Sequence, residues 1–283
     1  MKHFTIRPLT TNFGAEIEHL ELRFLDDKSF SALYETWLQW KVLVIRKQNL
    51  SPSQLVEFAS RFGEPLADRF IAPHPTEPAL MEILKPAGDR GRNFGGLWHT
   101  DVSYLEAPAK ATILYAVQLP QKGGDTLFAD LEAAYESLSP GMQNMITGMR
   151  ARHLALGPLQ RKRLENKDYT PDVSTTETQV IQALHPLVRV HPETGRNCLF
   201  VNGSYLHLID GMTEEESLPL LKFLCDHAQR PAFTCRVRWE PGTITIWDNR
   251  CTQHKALNDY TERREMLRFT VKGEIPTGRK AND

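Results

Sequence analysis

Residues 95–106 read GGLWHTDVSYLE, and apolar and polar residues alternate along most of this run. Alternation is the signature of a half-buried strand. On a strand, His99 and Asp101 share one face, while Trp98, Thr100 and Val102 share the other. On a helix, residues two apart do not face each other. The strand reading thus sets an imidazole nitrogen beside a carboxylate oxygen, and a third ligand must come from a distant element to close a metal site. The pair alone is a weak signal, because His19-Leu20-Glu21 and His191-Pro192-Glu193 have the same spacing. The second of these stands in a Pro-Glu-Thr-Gly turn, where a solvated surface histidine is expected.

Outward from this stretch the chain is rich in short strand signals. They are VLVI at 42–45, ATILYAVQLP at 111–120, a strand–turn–strand pattern at 187–202, another around Pro241-Gly242 at 234–249, and MLRFTVKG at 266–273. Helical spacing appears at 29–40 and at 51–63, where Ser51 precedes Pro52 as an N-cap. It recurs at 129–153, as two short helices broken at Ser139-Pro140, and at 213–231, opened by a Thr213/Glu216 capping box. The expected fold is mostly β with helical insertions (α+β): a jelly-roll barrel flanked by helices. No repeat and no shift of composition divides the chain, so a single domain over 1–283 is expected. Residues 157–180 are polar and aperiodic, the pattern of a long mobile lid.

Composition removes several function classes. Thirty-four basic residues against 35 acidic ones leave a formal net charge of -1, without the basic footprint of a nucleic-acid binder. No apolar run approaches the roughly 18 residues of a membrane span, and the N-terminal residues lack the apolar core of a signal peptide. The four cysteines form no C-x-x-C pair, which points to a reducing cytoplasm and away from thiolate zinc sites.

The C-terminal third supplies the missing ligand. His254 follows the strand signal at 243–247, Arg264 comes ten residues later, and Arg268 four beyond that. Arg264, Met266 and Arg268 share one strand face, a phase that favours Arg264 over Arg263 as the inward residue. An arginine on the inner face of a barrel requires an anion, and its planar guanidinium matches a carboxylate. Two histidines and one carboxylate form the facial triad of non-heme Fe(II) oxygenases, which leaves three coordination positions open. Two of these suit a chelating 2-oxo acid and one suits O₂. A zinc hydrolase on the same ligands would have no H-E-x-x-H helix and no use for the arginines. A small-molecule binding protein on the same fold would have no need of open metal positions.

Four stretches then resemble the taurine dioxygenase (TauD/TfdA) family of Fe(II)/2-oxoglutarate-dependent dioxygenases: LWHTDVSY, LPQKGGDTLFADLEAAYESL, LVRVHPETGRNCLFVN and IWDNRCTQHKALNDYTERREMLR. The resemblance runs from about residue 40 to 273. It implies a double-stranded β-helix, with Fe(2+) held by His99, Asp101 and His254. It implies 2-oxoglutarate and O₂ as co-substrates, the distal carboxylate of 2-oxoglutarate being bound by Arg264 and Thr126. Arg268 matches an arginine that pairs with the substrate's acidic group in several members. Retention of Asp101 argues for hydroxylation, since related halogenases lack this carboxylate. Asp248 and Asn249 are expected to brace the ligands rather than to ligate. The segments 67–80, 91–96 and 154–166 depart from the taurine pattern, with Gly95 and Gly96 where an asparagine is expected. Phe70, Phe94, Leu156 and Leu159 suggest a roomier, more apolar pocket, and Tyr205 is a further lining residue. The expected substrate is a small organic anion: a sulfonate, sulfate ester, aryloxyalkanoate or other carboxylate. The other expected partners are further copies of the chain, as a homo-oligomeric dimer or tetramer.

Overall fold

Val42, Leu43, Val44 and Ile45 (β3, Val42–Ile45) are buried on both faces of their strand, and the rest of the molecule is layered about them. Leu43 and Ile45 point into one core, shared with the helices α1 (Asp27–Trp40) and α2 (Pro52–Ser60). Val42 and Val44 point into a second core with Phe128, Val237 and Trp247. The architecture is that of a computed structural model, which describes residues 4–68, 71–91, 94–155 and 181–279.

The main sheet has seven strands, in the order β1 (Thr5–Pro8), β2 (Ala15–Glu18), β3, β13 (Ile244–Asp248), β5 (Ala111–Gln118), β15 (Arg264–Val271) and β4 (Met81–Lys85). Among the described residues, only β2 and β3 pair in parallel. Across the second core lies a three-stranded sheet, β12 (Thr234–Val237), β6 (Thr126–Asp130) and β14 (Thr252–Ala256). A further three-stranded sheet, β11 (Leu206–Ile209), β7 (Arg150–Leu154) and β8 (Gln182–Pro186), stands near the hairpin of β9 (Val188–Val190) and β10 (Asn197–Leu199). With α3 (Leu131–Glu136), α4 (Pro140–Ile146) and α5 (Glu214–Ala228), these strands enclose a third core around Leu199, Leu221 and Leu224. The fold is mostly β with some helices.

The caps explain the helix boundaries. Asp26 accepts from the Ser29 amide, so α1 starts two residues before the apolar period does. Ser51 with Gln54, and Thr213 with Glu216, form full capping boxes. At the end of α1, Lys41 adopts φ 65° and its buried ammonium reaches Asp130 at 2.7 Å and Glu132 at 2.9 Å.

Two expectations are corrected. Residues 96–105 form no regular strand: His99 makes a single antiparallel bridge with His254, and 101–104 turn away. Val102 sits there at φ 45°, a left-handed conformation that costs a β-branched residue about 1–3 kcal/mol. Arg150–Leu154 is a strand rather than the end of a helix. The strands expected on either side of Pro241-Gly242 are present but lie in different sheets, β12 paired with β6 and β13 with β3 and β5. Pro-Gly here joins the two sheets that the second core holds together. The expected lid at 157–180 lies outside the described residues, as do Phe70, Leu156 and Leu159. No helix among the described residues is long and apolar enough to cross a membrane, and all four cysteines are free thiols.

Candidate metal centre and anion site

His254 is placed by β14, whose ladder with β6 sets it opposite Phe128. Backbone bonds in both directions, His99 N to His254 O at 3.0 Å and His254 N to His99 O at 2.8 Å, then dock His99 beside it. The two rings lie 4.1 Å apart between centroids. Asp101 enters from the turn that follows, and its Oδ1 lies 3.5 Å from His99 Nε2 and 3.8 Å from His254 Nε2. The three residues are buried and their ligand atoms lie within 4.8 Å of one another.

Each group is oriented from behind. His99 Nδ1 faces the Leu97 carbonyl at 2.7 Å, leaving Nε2 toward Asp101. Thr112 donates its hydroxyl to Asp101 Oδ2 at 2.7 Å, and Asn249 accepts from the Asp101 amide at 3.3 Å. Asn249 also donates to Thr112 and accepts from the Trp247 indole, so one amide braces three elements. Burial alone would raise the Asp101 pKa, but the Arg268 guanidinium, with His254 and His99, holds it well below the ordinary carboxylate range. Burial drives the His254 pKa well below that of a free imidazole, with His99 and Arg268 adding to the effect. A neutral imidazole is the form that binds metal. His254 Nδ1 is buried without a hydrogen-bond partner among the described residues.

This donor set fits a divalent first-row metal. Two imidazoles and one carboxylate converge, and metal bonds near 2.1 Å would bring neighbouring ligand atoms to about 3 Å. A second group, His191, Asp248 and Cys251, is equally close-knit but offers no such vacancy. Arg250 occupies both Asp248 oxygens, at 2.8 and 2.7 Å. His191 donates Nε2–H to Asp248 and accepts the Glu193 and Thr194 amides at Nδ1. His191 is thus a buried anchor of its turn, not the solvated residue its Pro-Gly setting suggests.

The two arginines of β15 differ in company. Arg268 Nη2 lies 2.9 Å from Asp101 Oδ1, and its Nε donates to Thr270. The ring of Phe94, 46% exposed, lies 5.8 Å from its guanidinium carbon. Arg264 is also buried, at 6% exposure, yet its Nε and Nη2 have no hydrogen-bond partner among the described residues. Tyr260 bonds to it, and burial pushes its pKa down. Arg263, in contrast, is paired at the surface with Glu265 and Gln118, as strand phase anticipates.

Trp239 connects the remaining residues. Its indole N–H donates to Thr126 Oγ1 at 3.0 Å, and its ring lies 5.8 Å from the Arg264 guanidinium carbon. Gly124, at φ 73°, lies against the same arginine: a Cβ there would stand 3.3 Å from Arg264 Nε. The Gly-Gly turn before Thr126 therefore makes room for the guanidinium as well as starting β6. Trp239 and Thr112 carry no motif in the sequence. Both became legible only once strands met.

Tyr205 stands at the edge of the cluster, its ring 6.4 Å from His99 and 5.1 Å from Tyr104. Gly95, at φ 73°, backs onto the metal side of His99, where a Cβ would meet Cε1 at 3.1 Å.

The profile of the taurine catabolism dioxygenase TauD, TfdA family matches residues 5–270. An alpha-ketoglutarate-dependent sulfate ester dioxygenase of Pseudomonas putida is 36% identical, over 96% of this chain and 91% of its own. A (S)-phenoxypropionate/alpha-ketoglutarate-dioxygenase of Sphingobium herbicidovorans is 34% identical over 96% of both chains. Among solved structures, a taurine dioxygenase from Burkholderia xenovorans superposes with a TM-score of 0.81 at 35% identity, covering 98% of this chain and 91% of that one.

Proposed function

This chain belongs to the TauD/TfdA family of 2-oxoglutarate-dependent dioxygenases, and from that premise we propose that it hydroxylates a C–H bond of a small organic anion. The observation that carries the reading is Arg264: a buried guanidinium with two nitrogens that have no hydrogen-bond partner among the described residues, flanked by Trp239 and Tyr260. An isolated buried charge is costly, so such a site exists to receive an anion. Arg264 and Thr126 take the distal carboxylate of 2-oxoglutarate in this reading.

His99, Asp101 and His254 hold Fe(2+). When bound, that ion supplies O₂ activation, coupling oxidative decarboxylation of 2-oxoglutarate to succinate and CO₂ with transfer of the second oxygen atom to the substrate C–H. The protein's own part is binding, orientation and exclusion of water. Thr112 and Asn249 fix the Asp101 carboxylate, and Leu97 fixes His99. Arg268 binds the substrate's anionic group, with Phe94 and Tyr205 beside its apolar body. Gly95 lets the backbone pack closely on His99, since a Cβ there would meet Cε1 at 3.1 Å. We read the two packed sheets as a double-stranded β-helix, a single domain.

The test is O₂ uptake and succinate formation with Fe(II), 2-oxoglutarate and a panel of sulfonates, sulfate esters and aryloxyalkanoates. The expected result is succinate in step with one panel class. No succinate above the level without substrate, for any member, counts against the substrate class. Under anaerobic conditions, Fe(II) with 2-oxoglutarate should give a weak visible charge-transfer band that His254→Ala abolishes. Without the band, the metal centre itself is misassigned.

A further inference from the structure

Behind Asp101, three side chains converge on one serine. Ser103 is fully buried, and its Oγ lies 3.0 Å from His153 Nδ1 and 3.1 Å from Asn202 Nδ2. Its carbonyl oxygen lies 3.0 Å from His185 Nε2, which also faces the Leu105 carbonyl at 3.0 Å. An amide NH₂ only donates, so Asn202 gives to Oγ, and Oγ and His153 Nδ1 share a second hydrogen bond whose direction follows the imidazole tautomer. His153 comes from β7, His185 from β8, and Asn202 from the segment after β10. None of them belongs to the sheets that carry His254, Arg264 and Arg268.

Burial lowers the pKa of His153 well below that of a free imidazole and that of His185 to about 4, so both are uncharged near neutrality. The same segment ties down the other side of the ligand pair. Ser204 donates to the Trp98 carbonyl at 3.0 Å, and Asn202 Oδ1 accepts the Tyr205 amide at 3.0 Å.

So much hydrogen bonding to one residue answers a specific need. Between Asp101 and Ser103 stands Val102 at φ 45°, a conformation a β-branched residue leaves unless its surroundings over-determine it. Thr112 and Asn249 grip Asp101 itself, but the chain beyond it is held through Ser103. We propose that Ser103 is a positioning residue: clamped by His153, His185 and Asn202, it holds the strained 101–104 turn in the one shape that keeps Asp101 Oδ1 between His99 and His254. The inference rests on the metal centre proposed above and extends it to a sheet that touches no ligand.

The experiment is a Co(II) titration of the whole chain, followed by visible absorption, with thermal unfolding alongside. Ser103→Ala should weaken Co(II) about tenfold or more, the cost typical of losing a group that orients a ligand. Val102→Gly alone should stay within about twofold, because glycine adopts positive φ freely. In the Val102→Gly background, Ser103→Ala should cost about threefold or less, since no strain remains to be held; the two changes are therefore non-additive. Asn202→Ala, which removes one of the clamps, is the milder variant if Ser103→Ala does not fold, and should show the same coupling. Equal losses in both backgrounds, or a lower Tm with Co(II) affinity unchanged, overturn the inference and leave the metal centre standing. Failure of the unaltered chain to bind Co(II), or binding insensitive to His254→Ala, overturns both.

Discussion

Arg268 Nη2 stands 2.9 Å from Asp101 Oδ1, the same carboxylate oxygen that faces His99 Nε2 at 3.5 Å and His254 Nε2 at 3.8 Å. One oxygen thus meets a guanidinium on one side and two imidazoles on the other. Thr112 donates to the second oxygen, so each carboxylate oxygen has a donor that fixes its orientation.

Replacing Arg268 separates its two effects. Arg268→Met removes a positive charge next to the metal position, so Co(II) affinity should hold or rise. Loss of a charged hydrogen bond to the substrate should lower kcat/KM roughly 10- to 100-fold. Metal titration and succinate formation on the same preparation read the two effects. Weaker metal binding in this variant would mean that Arg268 orients Asp101 rather than receiving substrate.

The anion site should respond independently of the metal. Arg264→Met should raise the KM for 2-oxoglutarate on the order of 100-fold, the loss expected when one partner of a buried charged pair is removed. Co(II) affinity should stay as it is. Trp239→Phe, which removes the indole N–H donated to Thr126 and part of the ring beside Arg264, should raise that KM by a few-fold.

Stability should rise with pH across the range in which His185 resists protonation. Burial lowers its folded-state pKa to about 4, against about 6.5 in the unfolded chain. Between these values the unfolded state binds the proton and the folded state does not. The contribution is therefore complete above about pH 6.5 and lost as pH falls toward 4, on the order of 3 kcal/mol in all. Urea unfolding at a series of pH values should show this slope, and His185→Gln should flatten it.

The Asp248–Arg250 pair should behave as structure rather than as catalysis. Arg250→Met leaves a buried carboxylate without its fork and should cost about 3–5 kcal/mol. Asp248 is held below the ordinary carboxylate range: burial opposes ionisation, but Arg250 and His191 outweigh it. Its stabilising contribution is thus present above about pH 4 and is lost as pH falls below that. Thermal unfolding measures both effects. In the fraction that remains folded, Co(II) affinity should be unchanged.

The local signals that survived folding were those with a one-dimensional cause. The capping boxes at Ser51 and Thr213 lie where the sequence places them, because N-cap and N3 are neighbours in the chain. VLVI at 42–45 is a strand buried on both faces, as an unbroken apolar run indicates. Other readings failed where neighbours in space decide. GGLWHTDVSYLE alternates like a strand, yet only His99 bridges, and the run beyond it is bent by contacts to Ser103. His191 looks like a turn residue facing water, but Asp248 lies beneath it.

Residue type and order in the sequence pointed to the candidate chemistry: two imidazoles and a carboxylate that could hold a metal, and arginines that could receive an anion. Both follow from what those side chains bind wherever they meet. The tertiary structure decided how they meet. It delivered Asp101 by a strained turn instead of a strand, gave Arg268 a carboxylate, and left Arg264 buried with two nitrogens unpartnered among the described residues. Periodicity reports which side of an element a residue faces. Desolvation and pairing depend on which distant element packs against that side, and only the folded chain sets that.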